Sequence, residues 1–325
     1  MTETSTESSP VASNWDGYWQ GTGEAGAYSS GGVSHPAIMA FWDDFFSSVK
    51  SNYSQPSMLD IASGNGAVIE RALAVFEGNP PKISCVDISE AAIANIGSRF
   101  DFVRGIVSDA SSIPLESSSF DVVTSQFGVE YAGEEAIFEA VRLLASGGQL
   151  GLLMHSQPGS IHQECSGNLE AISRFRDSGF VRGARDMFRA GFEAVRGASR
   201  VPYDDAAKKL ATAVQETEAI MNQFGERVAD ETIARLYGDV ARIHADIQHY
   251  EPMEVLSWLE KMESELETYA GRMSSMVNAA IDETRFQTIC SGISDLNCPI
   301  DQAGPLLVPA NNIPLGWVLL AHKET

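Results

Sequence analysis

Met58-Leu59-Asp60-Ile61-Ala62-Ser63-Gly64-Asn65-Gly66-Ala67 reads as a buried strand closed by an acid, then a glycine turn, then the start of a helix. In an α/β protein that order presents backbone N–H groups and a helix N-terminus to a nucleotide-like ligand. A second apolar run, Ile83 to Val86, closes on Asp87. An acid about 20 residues beyond the glycines stands where it accepts hydrogen bonds from ribose hydroxyls.

Working outward, the pattern alternates. Pro36 suits a first helical turn, and Ile38, Met39, Phe41, Trp42, Phe45 and Phe46 form a helical apolar stripe through about Val49. A helix is expected over residues 68–76 and another over 89–100, with Ser89 as its N-cap. Weaker strand signals cover 102–106, and stronger ones 120–125 and 150–154. Between the last two, Ile137, Phe138, Val141 and Leu144 mark a helix over 134–145, with Gly147-Gly148 as its C-cap signal. Strands alternating with helices in this way imply a parallel sheet.

After His155 the strand signals thin out. Leu210, Val214, Met221 and Phe224 make one helical stripe. Ile233, Leu236, Val240, Ile243 and Ile247 make a second, and Val255, Leu259, Met262 and Leu266 a third beginning at Pro252. Residues 316–322 then read as a strand returning to the sheet edge, which makes the helical block an insertion.

The 325 residues suffice for one large or two ordinary domains. With 22 basic against 44 acidic residues, the chain carries a formal charge of −22. Such a surface repels phosphate backbones and anionic membranes, which disfavours a nucleic-acid substrate. Cys85, Cys165, Cys290 and Cys298 have no metal-type spacing, so reduced cysteines and no metal are expected. Residues 1–14 are Ser/Thr/Glu-rich without an apolar core, and read as a disordered tail rather than a signal peptide. No run has the apolar length of a membrane span, and the expected compartment is the cytoplasm.

In company these motifs resemble the class I S-adenosylmethionine-dependent methyltransferases. Asp60 to Gly66 matches that family's D-x-G-x-G-x-G turn with Ala62 in place of the first glycine. Asp87 matches its ribose-binding acid, and Asp109 holds the place of the acid that meets the adenine amino group. The stretch 113–123 and Arg142-Leu143-Leu144-Ala145-Ser146-Gly147-Gly148 resemble the entries to its fourth and fifth strands. Gln126-Phe127-Gly128-Val129 is similar to the ubiquinone/menaquinone-type C-methyltransferases, although the long helical insertion departs from their form.

The resemblance implies a Rossmann-like, mostly parallel seven-stranded sheet with helices on both faces. Residues 15–157 with 300–325 would form the S-adenosylmethionine-binding domain, and 158–299 a helical cap that also offers a homodimer surface. The cosubstrate set is then Tyr18, Asp60, Ala62, Ser63, Gly64, Gly66, Asp87, Ile88, Asp109, Ala110, Gln126 and Phe127.

Methyl transfer from a sulfonium needs alignment and a dry cleft, with a base only where the acceptor loses a proton. Acceptor groups belong at the carboxyl ends of the fourth and fifth strands. Glu130, Tyr131 and His155 are therefore the catalytic candidates, with His155 the candidate base. A strand-end histidine bonded to a loop, and an acid opening a helix, are the plain structural readings of His155 and Glu130. His162 ranks below them, and His244 and His249 read as structural. Trp15, Tyr18 and Trp19 form either a lid whose ring faces attract the sulfonium or a packed N-terminal arm. A small-molecule methyl acceptor is expected. The competing readings are a non-catalytic cosubstrate-binding or interaction module, and a nicotinamide-dependent oxidoreductase.

Overall fold

The computed structural model describes Trp15, Asp16, Trp19, residues 35–308 and residues 312–325. Tyr18 and the tail expected over 1–14 lie outside the described residues. The chain forms two compact units, Met1–Gln163 with Ser275–Thr325, and Glu164–Ser274.

The first unit carries a seven-stranded sheet. In chain order it contains α1 (Pro36–Asn52), β1 (Ser57–Ile61), α2 (Ala67–Val75), β2 (Lys82–Asp87), α3 (Glu90–Arg99), β3 (Arg104–Val107), β4 (Phe120–Gln126), α4 (Glu134–Leu143) and β5 (Leu144–Met154). The helical segment follows, built from α5 (Ser160–Asp177), α6 (Phe180–Val195), α7 (Val201–Phe224), α8 (Thr232–Ala245) and α9 (Pro252–Ala279). The chain then returns through α10 (Glu283–Asp295), β6 (Ile300–Leu307) and β7 (Pro314–His322). The sheet order is β3-β2-β1-β4-β5-β7-β6. Strands β1 to β5 pair in parallel, and β7 pairs antiparallel with both β5 and β6.

Strand alternation sorts side chains to the two faces. Leu59, Ile61, Val86, Val123, Leu150 and Leu152 pack with Ile137, Ala140 and Val141 of α4 and with Phe286, Ile289 and Ile293 of α10. On the opposite face Phe45 of α1 lies so close to Gly151 that a Cβ there would stand 2.9 Å from its ring. Asp60 and Thr124 also point to that side, out of register with Leu59, Ile61 and Val123. The sheet is thus mostly parallel and covered on both faces.

Three expectations change. Strand β7 does not return to the sheet edge: β6 takes that place, an exposed strand with Asp301, Gln302 and Pro305 that gave no apolar signal. Polar side chains and proline are how an edge discourages further pairing. Helix α4 stops at Leu143, because Leu144 is already extended and pairs with Phe120. Gly147-Gly148 therefore serves a bulge in β5 and not a helix cap. Gly147 adopts φ 76°, and a Cβ on Gly148 would meet the Ala145 and Asp121 carbonyl oxygens at 2.9 and 3.0 Å.

In the second unit, Ile233, Leu236, Val240 and Ile243 of α8 and Val255, Leu259 and Leu266 of α9 are buried as their periodicity predicts. On α7 the buried line is Tyr203, Leu210, Ala213, Thr217 and Ile220, so Val214, Met221 and Phe224 flank the core. His244 bonds the Tyr203 hydroxyl through Nδ1 at 2.8 Å, and His249 meets Asp246 at the surface. All four cysteines are buried free thiols. Among the described residues no helix is long and apolar enough to cross a membrane.

Candidate functional site

The glycine turn leaves β1 beside the end of β2, with Asp60 paired to Cys85 and Ile61 to Val86. Ala62, Gly64 and Gly66 all hold left-handed backbone, at φ 52°, 51° and 85°. Gly66 also serves as N-cap of α2. Only glycine takes this conformation without steric cost, so Ala62 retains the turn at an expense of about 1–2 kcal/mol. A neighbour accommodates it: a Cβ on Gly128, just after β4, would stand 2.5 Å from the Ala62 methyl. Gly64 is constrained differently, since a Cβ there would meet the Trp19 indole at 2.6 Å.

Asp87 ties this turn to β2. One carboxylate oxygen accepts the Gly64 N–H at 2.8 Å and the other the Ser89 N–H at 2.9 Å. Burial pushes its carboxyl up to about 6, the two N–H groups oppose that shift, and nearby Asp16 adds to it. Asp60 is more deeply placed. Its Oδ1 accepts the Thr124 hydroxyl at 2.8 Å, while Oδ2 is buried without a hydrogen-bond partner. Burial pushes this carboxyl up to about 7, against the opposing pull of the Thr124 hydroxyl. An ionised acid left half-satisfied at a strand end is expensive to keep.

These elements wall a cavity of about 240 Å³ at the carboxyl ends of β1, β2 and β4. Ala62, Gly64, Asp87, Ile88, Asp109, Ala110, Phe127 and Tyr131, all named from the sequence, line it. So do Trp15 and Trp19, the proposed lid residues, and Ser108, Gly128 and Ala132, which the sequence did not single out. The proximity of Gly128 to Ala62 was hidden because it joins turns far apart in the chain.

Other sequence candidates stand off the cavity wall. Asp60 supports the turn from below, and Ser63 donates its hydroxyl to the Asp60 carbonyl at 2.8 Å. Gln126 accepts the Trp42 indole N–H at 2.5 Å and so anchors α1 to β4 rather than lining the cavity. Asp109, by contrast, stays on the wall at its exposed rim, where its Oδ1 accepts from the backbone and hydroxyl of Ser111, at 2.8 and 2.7 Å, and fixes the turn after β3.

The acceptor-side candidates form a layer. Glu130 and His155 are 3% and 1% exposed. One Glu130 oxygen accepts the His155 backbone N–H at 2.8 Å and lies 2.6 Å from its Nδ1. The other oxygen is buried without a hydrogen-bond partner. The imidazole packs against Phe127, with centroids 4.5 Å apart, and meets the Tyr131 ring edge-on at 5.7 Å. Tyr131 and Phe127 therefore face the cavity while Glu130 and His155 stand behind them. His162 follows on the first turn of α5, and burial together with nearby His155 lowers its pKa. Among the described residues no group of His, Cys, Asp and Glu is arranged to hold a metal ion.

Comparison with known proteins agrees with this geometry. Residues 59–152 match the family model described as a methyltransferase domain. The chain is 36% identical over 102 residues to a ubiquinone/menaquinone biosynthesis C-methyltransferase of Methylobacterium nodulans, covering 28% of this chain and 39% of that protein. It is 30% identical over 192 residues to an uncharacterized methyltransferase of Schizosaccharomyces pombe, covering 58% of this chain and 71% of that one. A crystal structure of an S-adenosylmethionine-dependent methyltransferase from Aquifex aeolicus aligns at a TM-score of 0.32 with 15% identity, over 38% of this chain and 70% of that chain. The chain spans between about two fifths and two thirds of the length of the ubiquinone/menaquinone relatives it matches. With the glycine turn and its paired strand-end acids in place, and 71% of a methyltransferase's length matched at 30% identity, the chain belongs to the class I S-adenosylmethionine-dependent methyltransferases.

Proposed function

We propose that this chain transfers the methyl group of S-adenosylmethionine to a small organic acceptor. The observation that carries the reading is the union, on one cavity wall, of Gly64 in left-handed backbone with the Asp87 carboxylate that binds its N–H. Side-chain-free backbone can approach the ligand closely there, and Asp87 has lone pairs left for ribose hydroxyls. The rest of the wall suits the cosubstrate's other parts. Ile88, Ala110 and Phe127 offer apolar surface to a purine, with Asp109 at the rim. Trp15, Trp19 and Tyr131 offer ring faces and edges to a cationic sulfur.

When bound, the cosubstrate supplies an electrophilic methyl whose leaving sulfur recovers the bonding pair and loses its charge. The protein's part is alignment and exclusion of water. Tyr131 is the acceptor-side residue placed to touch an acceptor. Behind it, Glu130 accepts the His155 backbone N–H and bonds the ring at Nδ1, which holds the imidazole in place. For an acceptor that loses a proton on methylation, His155 is the candidate base, one layer behind the Tyr131 and Phe127 rings.

Supply of methyl-labelled S-adenosylmethionine with fractionated cell extract tests this. The proposal expects label in small-molecule fractions, and label confined to protein or nucleic acid overturns the acceptor class. Binding of the cosubstrate without any transfer would favour the non-catalytic alternative.

A further inference from the structure

The segment bearing Trp15 and Trp19 is fastened to α3 at two points. The Asp16 carboxylate accepts the Ser89 hydroxyl and, at 3.3 Å, the Ala91 N–H. One helical turn along α3 from Ala91, the Asn95 carboxamide donates to the Trp19 carbonyl at 2.8 Å and to Asn65 Oδ1 at 3.1 Å. Asn65 is itself buried in the glycine turn, and its carbonyl accepts from Arg99 of α3. One helix therefore grips both the floor of the cavity and the aromatic segment above it. The grip sets the rings: Trp19 rests on Gly64, Trp15 stacks on Trp19 at 6.2 Å, and Trp15 meets Tyr131 edge-on at 5.4 Å.

Resting on the cosubstrate reading above, we propose that Asp16 and Asn95 are positioning residues that clasp the Trp15–Trp19 wall over the glycine turn, and thereby give the site its preference for a cationic sulfonium over a neutral thioether. Neither side chain lines the cavity, so each acts through the tryptophans. Aromatic faces attract a cation only when held against it. The Asp16 carboxylate seated on the first turn of α3, and the Asn95 carboxamide one helical turn further along, together fix both position and tilt. Asp16 also adds negative charge beside Asp87, which favours a cationic over a neutral occupant.

Calorimetric titration with S-adenosylmethionine and, separately, S-adenosylhomocysteine tests the clasp. Asp16→Ala and Asn95→Ala are expected to weaken the sulfonium ligand about tenfold and the thioether about threefold or less, the difference being the scale of a cation–π contact. Asp16→Asn keeps an oxygen for Ser89 and Ala91, so it should retain more of the affinity than Asp16→Ala. Asn95→Leu, which removes the donor at about the same size without adding charge, should behave like Asn95→Ala and stands in for it if that variant does not fold. Equal losses for the two ligands, affinities within twofold of the parent, or an Asp16→Asn as impaired as Asp16→Ala would each overturn the proposal. A parent protein that binds neither ligand refutes instead the cosubstrate reading beneath it.

Discussion

Asp60 is the costliest side chain of the glycine turn, and its cost is measurable. Burial pushes its folded carboxyl up to about 7 from an ordinary 3.8. Between those values the folded state holds a proton that the unfolded chain has released, so stability falls as pH rises. The loss is about 1.36 kcal/mol per pH unit well between the two values and half that at pH 7, so it amounts to about 2 kcal/mol from pH 5 to pH 7. Asp60→Asn removes that dependence. Its carbonyl still accepts the Thr124 hydroxyl, and its NH₂ occupies the unpartnered side at a pH-independent cost of about 1–3 kcal/mol. That cost cancels when the two stability–pH curves are compared by slope. Urea unfolding in a Trp258→Phe background is the assay, since Trp15, Trp19, Trp42 and Trp317 all belong to the first unit. The variant should gain on the parent by about 2 kcal/mol between pH 5 and pH 7. Parallel curves would refute the reasoning and show that Asp60 is solvated or paired in solution.

Further predictions concern the neighbouring residues. Gly64→Ala places a methyl on left-handed backbone and against the Trp19 ring, so it should destabilise by roughly 1–2 kcal/mol and lower cosubstrate affinity at least tenfold; denaturation and calorimetry read the two effects. Asp87 must be ionised to accept from ribose, and its carboxyl is pushed up to about 6. Affinity for S-adenosylmethionine should therefore weaken as pH drops through 6 and level off above it, and Asp87→Asn should abolish that dependence in titrations at several pH values. Glu130→Ala leaves the His155 ring and backbone N–H without their buried acceptor, with an expected loss of about 3 kcal/mol in urea unfolding, whereas Glu130→Gln should lose less.

The turn, its two acids and the alternating core were legible because local chemistry dictates them. Left-handed glycines, strand-end carboxylates and apolar runs each carry a short-range signal. What the sequence hid was long-range or polar. Strand β6 is an exposed edge whose Asp301 and Gln302 look like loop. Gly147-Gly148 resembles a helix cap, yet serves a bulge that exists only because Leu144 pairs with Phe120. Gln126 stands at a strand end, where a ligand contact is expected, but the Trp42 indole claims it. Glu130 and His155 were separate candidates in the sequence. Their pairing follows from the turn after β4 folding back on the end of β5, a contact that no motif encodes.

The central claim is that the Asp87–Gly64 wall binds S-adenosylmethionine. Isothermal titration of the parent chain and of Asp87→Ala at pH 8 tests it most directly. The account predicts saturable one-to-one binding by the parent and at least a tenfold loss in the variant. Equal affinity in the two proteins, or no binding by the parent, would contradict it.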